Sequence, residues 1–259
     1  MGIRTDLAAE IEKINENEEY FCENEGNFSL EFAEINGNKF KGKFATISFC
    51  DLEKITDFSP FEKQFKKAMK ILLKNTENVL VVGLGNREIT ADSVGVKTSE
   101  KILATRHIMG EFAENIGLFG LKSVAVLTPN VLGKTGIEVQ EILKGIIEKT
   151  GIDTVIVIDA LCAKEADRIF KTVQLTDSGI SPGSGVKNSR KEISKNTLGV
   201  NVIAIGVPTV IEYKNDAENL IVTPKDCDLL TDKISEILAL NLNLFLQPEI
   251  DRDLLCQLV

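Results

Sequence analysis

The chain has 259 residues, of which 43% are hydrophobic and 27% are charged, a composition typical of a folded globular protein. Its formal net charge of −9 would repel a nucleic-acid backbone, which argues against a DNA-binding role. The five cysteines are widely spaced and odd in number, and no apolar run is long enough to span a bilayer. These features favour a cytoplasmic protein with reduced thiols and exclude a membrane protein or a disulfide scaffold.

The amino-terminal part of the chain predicts a β-hairpin followed by a helix. Residues 1–27 are polar and acidic and form a lead-in segment. Residues 28–50 alternate apolar and polar positions on both sides of Asn36-Gly37, a pair that is typical of a hairpin turn. Apolar residues then recur at helical spacing, which predicts a helix over Phe61–Leu73.

The rest of the chain alternates predicted strands and helices. Short β-branched runs without alternation are typical of strands buried on both faces of a parallel sheet. Four such runs are present, at 79–82, 124–127, 155–158 and 202–205. Helices are predicted over Lys97–Asn115, Ile137–Glu148 and Asp228–Phe245. The alternation predicts one α/β domain over residues 1–259, a three-layer αβα structure of the phosphorylase/hydrolase-like kind, with a mostly parallel doubly wound sheet and a small amino-terminal hairpin.

Two aspartates follow predicted strands and form the best candidate for chemistry. Asp92 comes after the first apolar run, and Asp159 comes directly after the third. In an open parallel sheet the carboxyl ends of the strands meet at one edge, where ligands bind. Two crowded carboxylates do not both ionise easily, so they can act as an acid and base pair that activates water. Alternatively, each aspartate caps the helix that follows it, and the pattern alone favours this interpretation.

Other motifs are incomplete. The start of a dinucleotide fingerprint at Gly83-x-Gly85 lacks its third glycine, because position 88 is Glu88. The phosphate-loop ending Gly133-Lys134-Thr135 lacks its first glycine, because position 128 is Thr128. The glycine-rich stretch at 182–185 with its basic flank keeps open a non-catalytic nucleotide- or anion-binding module.

The only histidine argues against a triad or a metal site. His107 falls inside a predicted helix, and no base is identifiable for a serine nucleophile or for Cys162. The sequence therefore predicts neither a metal nor a cofactor.

Several longer motifs in chain order resemble one family. They are Val81-Val82-Gly83-Leu84-Gly85-Asn86, Thr105-Arg106-His107, Gly133-x-Thr135-Gly136-Ile137-Glu138, Ile158-Asp159-Ala160-Leu161, Asp177-x-Gly179-Ile180-x-Pro182-Gly183-Ser184-Gly185-Val186, Gly206-Val207-Pro208-Thr209-Val210 and Val222-Thr223-Pro224-Lys225. Together they resemble the spore germination protease family over nearly the whole chain. A hydrogenase-maturation-type peptidase resembles the chain in its Gly-x-Gly-Asn strand end and is the nearest alternative.

The resemblance implies an endopeptidase that degrades small acid-soluble, DNA-protecting spore proteins in the cytoplasm of the spore core. It implies an atypical aspartic mechanism, with Asp92 and Asp159 as the catalytic residues and no cofactor. Side chains from the shared motifs are candidates for lining or supporting the cleft: Asn86, Thr135, Glu138, Asp177 and Thr209. Family members are zymogens and homotetramers.

The family cuts after an acidic residue that follows Ser or Thr and precedes an apolar residue and Ala. Thr5-Asp6-Leu7-Ala8 has this form, so residues 1–6 are a candidate propeptide that the enzyme removes by cutting between Asp6 and Leu7. The alternative is that Thr5-Asp6 caps a helix that begins near Leu7.

Overall fold

A computed structural model describes residues 6–7, 20–36, 41–74, 76–108, 120–183, 190–214 and 219–259. The strands are β1 (Tyr20–Glu25), β2 (Phe28–Asn36), β3 (Lys41–Phe49), β4 (Asn78–Gly83), β5 (Ser123–Leu127), β6 (Thr154–Ala163), β7 (Thr172–Thr176), β8 (Asn201–Lys214) and β9 (Asn219–Val222). The helices are α1 (Ser59–Leu72), α2 (Val94–Ser99), α3 (Leu132–Thr135), α4 (Val139–Thr150), α5 (Lys195–Leu198), α6 (Cys227–Leu246) and α7 (Arg252–Leu258).

The strands form one mixed sheet in the order β1-β2-β3-β7-β8-β6-β4-β5, with β9 paired to β8. The four predicted apolar runs lie in β4, β5, β6 and β8. These strands are parallel neighbours, since β4 pairs with β5 and β6, and β6 pairs with β8. The prediction of four parallel strands in one sheet is therefore confirmed, but β5 lies at the edge of the sheet and not at its centre.

The expectation of a mostly parallel sheet is wrong, because the other half of the sheet is antiparallel. β2 and β3 form the predicted hairpin, although its turn at 37–40 lies outside the described residues. β7 then joins β3 to β8, antiparallel to both. The hairpin is therefore not a small appendage but a continuation of the central sheet.

Helices cover the two faces of the sheet and bury alternate strand residues. Ile156 and Ile158 of β6 belong to a large apolar cluster with side chains of α1 and α6. Val155 and Val157 of the same strand belong to a second cluster, which contains Leu143 of α4. Because successive residues of a strand point to opposite faces, the continuous apolar runs fill both clusters.

The predicted helix over Lys97–Asn115 is confirmed for Lys97–Ser99, which belong to α2, and is wrong for the rest of its described part. α2 ends at Ser99, and residues 103–105 belong to neither a helix nor a strand before a turn that exposes His107. The backbone N–H groups of Thr105 and Arg106 both donate to Val124 O at 2.9 Å, and this contact with β5 holds the chain out of a helix. Residues 109–115 lie outside the described part of the chain.

The predictions for the other helices hold to within two residues, as α1, α4 and α6 show. Within the ranges that the structure describes, no helix combines the length and apolarity needed to cross a membrane.

Candidate active site

A tight turn after β4 positions Asp92. The chain leaves β4 through Gly85, whose φ of +105° is a conformation that other residues rarely adopt. A side chain at this position would also clash, because its Cβ would lie 1.9 Å from Asp92 O. The chain can therefore fold back closely enough for Asn86 N to donate a hydrogen bond to Asp92 Oδ2 at 2.8 Å. The structure thus brings Asn86 to Asp92, through its backbone amide.

Asp92 belongs to a three-residue 3₁₀ turn, Thr90–Asp92, that accepts hydrogen bonds from threonine hydroxyl groups. Thr209 of β8 is fully buried, and its Oγ1 donates to Ala91 O at 2.6 Å. Thr223 Oγ1 in turn donates to Thr209 O at 2.8 Å. Thr209 is therefore a support for the turn rather than a group that faces a substrate.

Asp159 lies inside β6, which continues to Ala163 instead of ending at the aspartate. The side chain is 5% exposed, and its Oδ1 accepts a hydrogen bond from Ala160 N at 2.9 Å. Its partner in the register of β8 is Gly206. The Thr90–Asp92 turn contacts both β6 and β8, so the two aspartates approach each other over this part of the sheet.

The electrostatics of the two carboxyl groups differ. Burial raises the pKa of Asp92, and the hydrogen bond from Asn86 N opposes this shift. Burial raises the pKa of Asp159 well above its ordinary value, and the negative charge of Asp92 raises it further, against the hydrogen bond from Ala160 N. The pair therefore favours a state with a proton on Asp159 and a charge on Asp92.

Neither aspartate caps a helix in the way that the sequence pattern favoured. The N-cap residue of α2 is Ser93, which makes no side-chain capping bond, and the Asp92 carboxylate accepts from Asn86 N instead. Asp159 lies in the middle of a strand. A helix-capping role for Asp92 or Asp159 is therefore wrong.

A third carboxyl group comes from the amino-terminal segment. Asp6 N donates to Cys162 O at 2.9 Å, and Asp6 Oδ2 accepts from Cys162 N at 3.0 Å. The Asp6 charge contributes to the raised pKa of Asp159, after burial and Asp92. The residues of the candidate self-cleavage site, Asp6 and Leu7, therefore lie beside the aspartate pair, while Thr5 and Ala8 lie outside the described residues.

Gln174 is a neighbour of this site that the sequence did not predict. It lies on β7 opposite Gly206, which is itself opposite Asp159. The side chain is 6% exposed, and its Nε2 donates to Asp6 O at 3.4 Å. The alternation of Thr172, Val173, Gln174, Leu175 and Thr176 was the available signal for a strand here.

Three other candidates are held in contacts of a different kind. The hydroxyl of Thr135 bonds within its own turn, to Val131 O and Ile137 O. Glu138 is the N-cap residue of α4, and its charge contributes to the raised pKa of Lys191, after the larger effect of Glu141. Asp177 Oδ1 accepts from Lys43 N at 2.7 Å.

Asp177 is also displaced along the sheet from the aspartate pair. Gln174 pairs with Gly206, the neighbour of Asp159, whereas Thr176 already pairs with Ala204 towards the amino end of β8. Asp177 is therefore not brought to the aspartate pair, and its role as a supporting residue stays a prediction.

Over the residues that the structure describes, no three His, Cys, Asp or Glu side chains are grouped closely enough to hold a metal ion. Residues 184–189, which include half of the glycine-rich stretch at 182–185 and Lys187 of its basic flank, lie outside them.

Comparison with known proteins gives matches over most of the chain. The model of the germination protease family matches residues 33–218. A germination protease of Clostridium tetani is 34% identical, with 97% of each chain covered. A germination protease of Caldanaerobacter subterraneus is 35% identical, with 96% of this chain and 95% of the relative covered. Among solved structures, a NiFe hydrogenase maturation protease from Thermococcus kodakarensis is similar with a TM-score of 0.40 and 16% identity, covering 67% of this chain and 97% of that one.

Proposed function

We propose that this chain, which belongs to the germination protease family, hydrolyses peptide bonds with Asp92 and Asp159 as its acid and base pair. The observation that carries the proposal is the burial of Asp159 beside the charge of Asp92. Two neighbouring carboxyl groups with one proton between them supply both a general base and a general acid without a metal.

The proton transfers of this mechanism balance over one turnover. Asp92 accepts a proton from water while the water oxygen bonds to the peptide carbonyl carbon, and Asp159 donates its proton to the carbonyl oxygen. These transfers give a tetrahedral diol. In the second step Asp92 returns its proton to the peptide nitrogen of this diol, and Asp159 takes a proton from one of the two hydroxyl groups. The C–N bond then breaks, and both aspartates regain their starting states.

The proposed substrates are small acid-soluble spore proteins, cut after an acidic residue during germination. The family supports this choice, and so does the negative charge of the chain, which disfavours binding to the DNA that such substrates cover. We further propose that the enzyme works in the cytoplasm of the spore core as a homotetramer that is made as a zymogen.

The direct test is incubation of the chain with a purified small acid-soluble spore protein, followed by mass mapping of the fragments. We expect fragments whose first residue is apolar and whose preceding residue in the substrate is acidic. The same incubation with a chelator should give the same fragments at the same rate. An uncut spore protein, cuts at unrelated residues or loss of cleavage with the chelator would contradict the proposal.

Self-cleavage between Asp6 and Leu7 is the second part of the proposal. The main chain of Asp6 is bonded to Cys162 and its carbonyl to Gln174, beside the aspartate pair. Mass spectrometry of active protein should find a chain that starts at Leu7, whereas the Asp159→Asn variant should keep its full amino terminus. A fully active enzyme that still begins at Met1 or Gly2 would show that activity does not need this cut.

A further inference from the structure

A cleft of about 300 Å³ opens at the amino end of β8, away from the aspartate pair. The pairing of β7 with β8 ends at Thr176 and Ala204, so β7 does not cover the first residues of β8, Asn201–Ile203, which form one wall of the cleft. β8 runs five residues from Asn201 to the partner of Asp159, so about 17 Å of strand lies between the cleft and the pair. The cleft is therefore separate from the proposed active site.

The charged side chains that line the cleft are mostly basic. Lys43 lies on β3, Lys74 follows α1, Lys195 begins α5 and Asp177 follows β7. Within the ranges that the structure describes, none of the three lysines forms an ion pair, whereas eight lysines elsewhere do. Because three lysines and one aspartate line it, the cleft carries a formal charge of +2 in a chain whose net charge is −9.

The hydrogen bonds within the cleft leave its ammonium groups available to a ligand. Asp177 Oδ1 accepts from the backbone N–H of Lys43 at 2.7 Å, so this carboxylate is engaged by the main chain rather than by a lysine side chain. Lys195 Nζ donates to Asn201 Oδ1 at 3.3 Å. Since an ammonium group has three N–H donors, Lys195 keeps two of them for another acceptor.

The main chain of β8 adds a further donor to the wall of the cleft. Asn201 N donates to Asp153 O at 3.1 Å, on the β6 side of the strand. Because successive N–H groups of a strand point to opposite sides, the N–H of Val202 points to the side of the cleft. The side chains of Val202 and Ile203 belong to the apolar clusters on the two faces of the sheet, so the strand presents its main chain at this edge.

We propose that this cleft binds a small organic phosphate monoester. Such a group carries about −1.5 to −2 charges at pH 7, which matches the charge of the lining, and its three oxygens accept hydrogen bonds from ammonium and backbone N–H groups. Lysine is a common point-charge partner of phosphate. The space beside the half-buried Ile71 takes the organic part of the ligand. The proposal goes beyond the proposed function, because none of these residues belongs to the aspartate pair.

Isothermal titration calorimetry of the full chain with phenyl phosphate tests the cleft, in a phosphate-free buffer at neutral pH and constant ionic strength. Phenyl sulfate is the matched ligand, because it has nearly the same shape but a single negative charge. We expect phenyl phosphate to bind about tenfold more tightly than phenyl sulfate, since its additional charge interacts with several ammonium groups at once.

Variants of the lining should change the affinity for phenyl phosphate in opposite directions. Lys74→Gln and Lys195→Gln should each weaken binding by about fivefold, because each removes one ammonium group. Asp177→Asn should tighten binding by about threefold, because it removes the negative charge of the lining while its amide oxygen can still accept from Lys43 N. Lys225→Gln is the matched control, since Lys225 is exposed outside the cleft, and it should leave the affinity unchanged.

Absence of binding, or equal binding of phenyl phosphate and phenyl sulfate, would overturn the proposal. Equal affinities of Lys74→Gln and Lys225→Gln, or weaker binding by Asp177→Asn, would place the ligand outside the cleft and would overturn it as well. Cleavage of the spore protein is measured separately. An uncut spore protein contradicts the protease proposal and leaves the cleft standing, whereas loss of the difference between the two ligands contradicts the cleft alone.

Discussion

Two aspartates, Asp153 just before β6 and Asp159 in the middle of it, lie in opposite surroundings. Asp153 lies one residue before the strand, and four groups donate to its carboxylate: Thr76 Oγ1 and Thr154 Oγ1 at 2.8 Å, Asn78 N at 2.9 Å and Glu77 N at 3.2 Å. Asp159, six residues later, accepts a hydrogen bond from Ala160 N and lies beside two other carboxyl groups.

The pKa shifts of the two groups follow from these surroundings. Burial tends to raise the pKa of Asp153, but the hydrogen bonds from Asn78, Thr154, Thr76 and Glu77 together outweigh it, and its pKa is lowered. Burial and the charge of Asp92 raise the pKa of Asp159. Asp153 therefore stays charged and joins β4 to β6, whereas Asp159 is ready to hold a proton.

The largest expected effect is on the rate of cleavage, and it tests whether Asp153 and Asp159 differ in function. Asp92→Asn and Asp159→Asn should each lower the rate of spore-protein cleavage by about 10²–10⁴, because each removes one partner of the acid and base pair. Asp153→Asn has the same chemistry and should keep the rate within about twofold wherever it is folded. Initial rates of fragment formation measure the effect, and circular dichroism verifies folding.

A rate for Asp153→Asn as low as that for Asp159→Asn would show that the two aspartates do not differ in function. A parental rate for either Asp92→Asn or Asp159→Asn would remove that residue from the mechanism.

The parallel strands and the two candidate aspartates were predictable from sequence, because their signals are local. The strands were visible as continuous apolar runs, and the nearness of Asp92 and Asp159 was expected from the carboxyl ends of such strands, although β6 continues past Asp159 to Ala163. β7 was missed because it has only five residues, so its alternation of polar and apolar residues is short. The helix beyond Ser99 failed because Thr105 and Arg106 bond to β5, a contact that no local pattern contains.

The contact between Gln174 and Asp6 beside Asp159 was not predictable for a related reason. Gln174 and Asp6 are 168 residues apart in the chain, so their contact depends on the register of three strands. β6 also shifts its register against β8 between Leu161 and Cys162, which changes the pairing at the point where Asp6 docks. Alternation within a single strand does not reveal such a shift.

Replacement of Asp153 and of Asp159 should change the free energy of unfolding in opposite directions. The pKa of Asp153 is lowered below 3.8, so its stabilisation is present above 3.8 and is lost as pH falls through the folded-state pKa. The pKa of Asp159 is raised above 3.8, so its cost is absent below 3.8 and grows as pH rises towards the folded-state pKa. Urea unfolding should therefore show Asp153→Asn to be less stable at neutral pH by about 2 kcal/mol. It should show Asp159→Asn to be more stable by about 1 kcal/mol.

Both differences should shrink at a pH below 3.8, where the carboxyl groups of the unfolded chain are protonated. The comparison is wrong if the two variants shift the free energy of unfolding in the same direction at neutral pH.

The smallest expected effect concerns the turn that holds Asp92 over β6. Thr209→Val removes the hydroxyl that donates to Ala91 O but keeps the shape of the buried side chain. The turn should then hold Asp92 less firmly, and kcat should fall by about tenfold with KM unchanged, since small misplacements of catalytic groups cost rate. The lost hydrogen bond should also lower the free energy of unfolding by about 1 kcal/mol.

Two matched variants separate positioning from general weakening of the fold. Thr209→Ser keeps the hydroxyl and should restore most of kcat. Thr150→Val removes a hydroxyl bond of the same type, from Thr150 Oγ1 to Ile146 O on α4, and should affect stability without affecting kcat. Equal kcat values for Thr209→Val and Thr150→Val would mean that Asp92 keeps its position without Thr209. The hydrogen bond from Asn86 N and the close approach of Gly85 to the backbone of Asp92 would then be sufficient to position Asp92.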